Sequence, residues 1–97
     1  MYGTVARMKV KPGALEALKR FAETESDGAI KGFRGQYVYQ MDNDPNEVYL
    51  AVMFDSKESY FANADSPEQN ERYEEMMKFL AGEPEWHDGE IVFAHMD

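Results

Sequence analysis

Seven consecutive apolar residues, Val48-Tyr49-Leu50-Ala51-Val52-Met53-Phe54, constrain this chain more than any other feature. With Glu47 they read as a strand, Glu47 to Phe54. A strand sends successive side chains to opposite faces, so one that is apolar on both sides must be covered on both sides. The chain has 97 residues. That is one domain, residues 1–97, and too little for two independent cores. The strand therefore needs a layer from its own chain on one face and another source of cover on the other.

The remaining segments supply the first layer. Thr4 to Lys11 alternates, with Thr4, Ala6, Met8 and Val10 pointing one way and Val5, Arg7, Lys9 and Lys11 the other, which predicts a strand. Pro12-Gly13 ends it, and Pro12 suits the first turn of a helix. From Gly13 to Glu25, Ala14, Leu15, Leu18, Phe21 and Ala22 form one apolar stripe at helical spacing, and Asp27-Gly28 stops it. Gln36 to Met41 is a second strand, joined to Glu47–Phe54 through the polar cluster Asp42-Asn43-Asp44-Pro45-Asn46. Ser56 offers a cap for a short helix from Lys57 to Ala64. Ser66-Pro67-Glu68-Gln69 is a capping box opening a helix from Pro67 to Ala81, with Tyr73, Met76, Met77 and Leu80 on its inner stripe. Glu83 to Gly89 reads as a loop and Glu90 to His95 as the last strand. The order β-α-β-β-α-β predicts an α+β, ferredoxin-like fold, with helices on one face of a four-stranded antiparallel sheet. Nothing in the chain remains to cover the other face, so a homodimer through sheet faces is expected, as a dimeric α+β barrel.

Composition narrows the classes. Lys plus Arg is 10 against 19 Asp plus Glu, a net charge of −9. Such a chain repels phosphates, which argues against nucleic acid as a partner. No apolar run approaches the ~20 residues of a membrane-spanning helix. The opening residues alternate like a strand instead of forming the basic and apolar blocks of a signal peptide, so cytoplasm is the expected location. Without cysteine there is no disulfide, thiolate nucleophile or thiolate metal site. The two histidines and the scattered carboxylates lack metal-ligand spacing, and no phosphate-binding glycine loop or serine-nucleophile motif is present. No metal or cofactor is therefore expected.

Several local signatures, in this order and spacing, resemble the antibiotic biosynthesis monooxygenase family of dimeric α+β barrels. They are Met8-Lys9-Val10-Lys11-Pro12-Gly13, Gly32-Phe33-Arg34-Gly35, Phe54-Asp55-Ser56-Lys57-Glu58-Ser59-Tyr60 and Asn63-Ala64-Asp65-Ser66-Pro67. The resemblance implies a pocket in each protomer between sheet and helices. In the haem-degrading branch an Asn on the first strand, a Trp at the helix break and an iron-ligating His ten residues later act together. The matching positions here are Ala6 or Arg7, Asn63 and Tyr73, which argues against haem degradation. In the cofactor-independent oxygenase branch, Asn, Trp and Tyr side chains bind a phenol or quinol. Asn63 and Tyr73 are compatible with that chemistry, while a Trp on the helix is missing.

Five residues are candidates for a site. Asn63 can donate to a substrate carbonyl or enolate, or simply cap a helix end. Tyr73 can hydrogen-bond a substrate oxygen, or sit in the core with its hydroxyl at solvent. Arg7 can attract an anionic substrate, or pair with a surface carboxylate. His87, next to Asp88, is the one side chain suited to proton transfer near neutral pH, and Trp86 can flank a ligand. The plainer reading of Trp86-His87-Asp88-Gly89 is a loop packed down by its tryptophan. His95 reads as structural or exposed. These readings give two expectations: a cofactor-independent monooxygenase-like protein acting on a small aromatic metabolite, or a non-catalytic dimeric module that binds a small molecule or a protein.

Overall fold

The alternation in the first strand sets the layering. In the computed structural model, which describes residues 1–25 and 30–97, β1 spans Tyr2–Lys9. Its Tyr2, Thr4, Ala6 and Met8 are buried, while Val5, Arg7 and Lys9 are exposed. It is followed among the described residues by α1 (Leu15–Glu25), β2 (Phe33–Met41), β3 (Asp44–Phe54), α2 (Lys57–Ala64), α3 (Pro67–Met77) and β4 (Glu85–Glu90). The four strands form one antiparallel sheet in the order β2-β3-β1-β4, so the two apolar strands lie at its centre. This is the expected ferredoxin-like α+β arrangement.

The β1–β3 register places Thr4 opposite Val52, Ala6 opposite Leu50 and Met8 opposite Val48. These residues share the helix-side face. Ala6, Met8, Val10, Leu18, Val48 and Leu80 make the buried core, with Leu15, Met76, Met77 and Phe79 packed on it. The rings of Phe21 and Phe79 pack in a tilted arrangement, centroids 5.8 Å apart, between α1 and the segment after α3. Each fully buried Val, Leu or Met contributes about 1.5–3 kcal/mol, so this small cluster carries the helix layer.

Both predicted caps form. The Ser56 side chain accepts from the Ser59 backbone N–H at 3.1 Å, and the Ser59 hydroxyl returns a contact to the Ser56 backbone. Ser66 accepts from the Gln69 N–H at 3.1 Å, with Pro67 at the first helical position. At the corner before β2, Gly32 adopts φ +83°, and a Cβ there would fall 2.6 Å from Ser59. Its carbonyl accepts from Asp55 N–H at 2.9 Å, tying the start of β2 to the end of β3.

Boundaries differ from the sequence expectation in several places: β1 is Tyr2–Lys9 instead of Thr4–Lys11, β2 starts at Phe33 instead of Gln36, and four further differences bear on the layout. Pro12-Gly13 forms a turn, with Gly13 at φ +81°, and the helix starts only at Leu15. The hairpin turn is tighter than expected, and β3 begins at Asp44. The α3 helix stops at Met77 instead of Ala81, because Lys11 N–H donates to Phe79 O and Ala81 N–H to Lys9 O, which draws residues 79–81 into pairing with the end of β1. The last strand is Glu85–Glu90, not Glu90–His95. Backbone pairing with β1 fixes it, despite a polar sequence that exposes every side chain. The predicted helix stop at Asp27-Gly28 lies outside the described residues.

The sheet face away from the helices carries Val5, Tyr37 and Tyr39, all exposed, beside half-buried Tyr49, Ala51 and Met53. After β4, Val92, Phe93 and Met96 are also exposed. No helix among the described residues is long and apolar enough to cross a membrane.

Candidate functional site

Between the helices and the sheet lies a cavity of about 470 Å³. That is within the size range of small-molecule sites. Its floor is the helix-side face of the sheet, including Thr4, Met8, Val38, Val48, Leu50 and Val52, and Phe21 closes it from α1. Most of this wall is apolar. Besides Gln36 on β2 and Asn70 on α3, polar groups reach it at two clusters.

The first is the corner between α2 and α3, where Asn63, Gln69 and Arg72 form a network. Arg72 donates to Gln69 Oε1 at 2.9 Å and to Asn63 Oδ1 at 3.4 Å, and Asn63 Nδ2 donates to Gln69 Oε1 at 3.1 Å. Ser66 fixes the corner by donating its hydroxyl to the Asn63 carbonyl at 2.8 Å. The second lies beside β4. There Tyr60 from α2 donates to Asp88 Oδ1 at 2.8 Å. Tyr60 sits among Tyr2, Phe54 and Phe61, with ring centroids 5.1–5.5 Å away. This burial, and then the hydrogen bond to Asp88, holds the Tyr60 proton well above the usual tyrosine value, with Thr4 acting in the opposite direction. Thr4 itself is only 5% exposed, and its hydroxyl has no hydrogen-bond partner among the described residues.

The expected site residues divide between the two sheet faces. Asn63, Tyr73 and Trp86 all line the cavity, and the rings of Tyr73 and Trp86 lie 6.4 Å apart. Arg7 and His87 lie on the opposite face. Arg7 donates to Glu47 at 3.0 Å, and Glu85 lies 3.8 Å from it. That hydrogen bond is the main cause holding the Glu47 carboxyl below, and the Arg7 guanidinium above, their ordinary values. His87 contacts Glu85 at 3.0 Å, and its side chain is exposed. His87 and Asp88, adjacent in sequence, do not act together, because neighbours on a strand point to opposite faces. Thus Asp88 enters the cavity and His87 does not.

The antibiotic biosynthesis monooxygenase family model matches residues 1–75. The chain belongs to this family. Among solved structures it is similar to a protein of the same family designation from Chloroflexus aurantiacus J-10-fl, at 25% identity and TM-score 0.77, covering 98% of this chain and 96% of that one. Another from Bordetella bronchiseptica matches at 16% identity and TM-score 0.80, covering 95% and 97%. A variant of SnoaB, a cofactor-independent oxygenase from Streptomyces nogalater, matches at 13% identity and TM-score 0.78, covering 96% and 94%. The last two likenesses concern the fold. No curated protein sequence matches.

Tyr60, Asp88, Gln69, Arg72 and Thr4 are cavity groups that the sequence reading passed over. Gln69 and Arg72 carried a signal: on a helix starting at Pro67 they are three residues apart and share a face. Asp88 carried one only if Trp86 is placed on a strand, since residues two apart then point the same way.

Proposed function

We propose that this family member is a homodimeric, cofactor-independent monooxygenase-like protein whose cavity takes a small phenol or hydroquinone. The observation that carries the reading is the convergence of Asn63 and Tyr73 on one largely apolar cavity of about 470 Å³. An aromatic ligand there meets the Tyr73 and Trp86 rings, while Asn63 supplies an N–H to its oxygen. Hydrogen bonds in such a low-dielectric space stabilise a substrate anion more than they do in water. That electron-rich anion is then the reductant for O₂. A hydroquinone plus O₂ gives a hydroxyquinone plus water, with the substrate donating all the electrons. The similarity to SnoaB supports this chemistry.

One observation favours a second reading, a non-catalytic dimeric small-molecule binder. Among the described residues the cavity wall contains no histidine, and one oxygen of its carboxylate, Asp88, is taken by Tyr60. Dimerisation is common to both readings. It is supported by Val5, Tyr37 and Tyr39, which form an apolar face that nothing among the described residues covers.

Oxygen uptake with a small hydroquinone panel separates the two. The oxygenase reading expects uptake above a protein-free control, incorporation of one labelled oxygen atom per product, and losses of tenfold or more for Asn63→Ala and Tyr73→Phe, on the order expected for lost hydrogen bonds to a developing anion. Uptake equal to the control overturns it for that panel.

A further inference from the structure

The two polar clusters of the cavity wall, at the α2–α3 corner and beside β4, have opposite hydrogen-bonding sense. Arginine can only donate, so the atoms facing Arg72 at the α2–α3 corner are the amide oxygens of Asn63 and Gln69. Both oxygens are thereby occupied. The Gln69 amide N–H groups and one N–H of Asn63 have no partner among the described residues. This corner offers donors.

The β4 side is the reverse. Tyr60 gives its only proton to Asp88 Oδ1. What remains for a ligand is the second Asp88 oxygen and a lone pair on the Tyr60 oxygen, all acceptors. No lysine or arginine among the described residues pairs with Asp88. Thr4 lies directly across from Asp88 in the β1–β4 register, in the wall of the same cavity, with a buried hydroxyl that no group among the described residues satisfies. An orphaned buried hydroxyl costs stability that a methyl of the same shape does not, so its presence wants a reason. Its place beside the Tyr60 phenol supplies one. Among the groups acting on the Tyr60 proton, Thr4 is the one that works against its retention, which puts the Thr4 side chain next to the phenol.

We propose that Tyr60 and Asp88 are the hydroxyl-recognising pair of this cavity, with Thr4 as a positioning residue, and that the Asn63–Gln69 corner recognises a carbonyl or oxyanion on the same ligand. The ligand class is a flat apolar body carrying a hydroxyl donor on one side and an acceptor on another. A carboxylate at the β4 side is repelled by Asp88. The proposal rests on the cavity being a small-molecule site, but not on any reaction with oxygen.

The test is fluorescence titration of the full chain with three probes: a naphthyl methyl ketone with a hydroxyl on its far ring, the methyl ether of that compound, and the unsubstituted ketone. The wild type is expected to bind the hydroxy ketone about tenfold or more tighter than either of the others, as a hydrogen bond to a charged acceptor allows. Tyr60→Phe and Asp88→Asn each reduce that preference to about twofold or less. Thr4→Val does the same while melting at the same or a higher temperature, and Thr4→Ser restores the preference. A merely structural Thr4 would move the melting temperature and leave the preference intact. Failure of the hydroxy ketone to bind saturably, equal affinity for all three probes, or a preference that survives Tyr60→Phe, Asp88→Asn or Thr4→Val overturns the proposal. A clear hydroxyl preference without any oxygen uptake supports it and removes the oxygenase reading alone.

Discussion

Replacing Tyr39 with aspartate tests whether two copies close on the open sheet face. Tyr39 and Tyr37 lie side by side there, with ring centroids 6.4 Å apart, and Tyr39 is 55% exposed. An aromatic side chain has roughly 200 Å² to bury, so about 110 Å² of Tyr39 stands open on each protomer. At about 25 cal/mol per Å² its burial is worth about 2.7 kcal/mol, and two-fold symmetry doubles this to a ceiling of about 5 kcal/mol. Association also costs rigid-body and side-chain freedom, so the observed effect falls below the ceiling. A weakening of about a hundredfold or more in the dimer dissociation constant is expected for Tyr39→Asp. The protomer itself should change little, because the side chain is not part of the core. Sedimentation velocity over a range of concentrations reads the first effect and circular-dichroism melting at low concentration the second. A wild type that sediments as a monomer at tens of micromolar, on the order of ordinary working concentrations, refutes the reasoning. So does an unchanged dimer in the variant.

Two further outcomes follow from the structure. Gly32→Ala should lower stability by about 2–4 kcal/mol, since it forces a side chain into left-handed backbone and against Ser59, a member of the α2 cap; thermal or urea unfolding measures it. Tyr60 keeps its proton to higher pH when folded than its ordinary value of 10.0, so its contribution to stability is complete below about pH 10 and is lost as the pH rises through the folded value. Urea unfolding of wild type and Tyr60→Phe on either side of pH 10 should therefore show the wild type losing more stability in alkali than the variant; parallel curves would contradict this.

The elements that were legible in the sequence are those whose burial pattern agrees with their local preference. The alternation Thr4, Ala6, Met8 is the buried side of β1, and Ser56 and Ser66 cap the helices that their positions predict. The last strand was not legible because the two signals conflict. Ile91 to His95 has the residues that favour strands, while Glu85-Trp86-His87-Asp88-Gly89-Glu90 is polar and turn-like. Yet Glu85–Glu90 is the segment that pairs with β1, by backbone hydrogen bonds that any residue can make. That displacement also governs the site. Once the segment is a strand, Trp86 and Asp88 face the helices while His87 and Glu85 face away, so a proton-transfer candidate leaves the cavity and a carboxylate enters it. Asn63 and Tyr73 were legible through the helix break and the helical stripe. Tyr60 was not, because its importance comes from Asp88 and Thr4, which reach it from two strands distant in sequence.

The claim on which the account turns is that the space between sheet and helices is a ligand site. A crystal structure of the protein soaked or co-crystallised with the hydroxy naphthyl ketone tests it most directly. The account predicts the ligand inside this cavity, its body against Tyr73 and Trp86 and its oxygens within hydrogen-bond reach of Asn63 or Gln69 and of Tyr60 or Asp88. A ligand seated only on the open sheet face, or a cavity filled by repacked side chains with the ligand excluded, would contradict it.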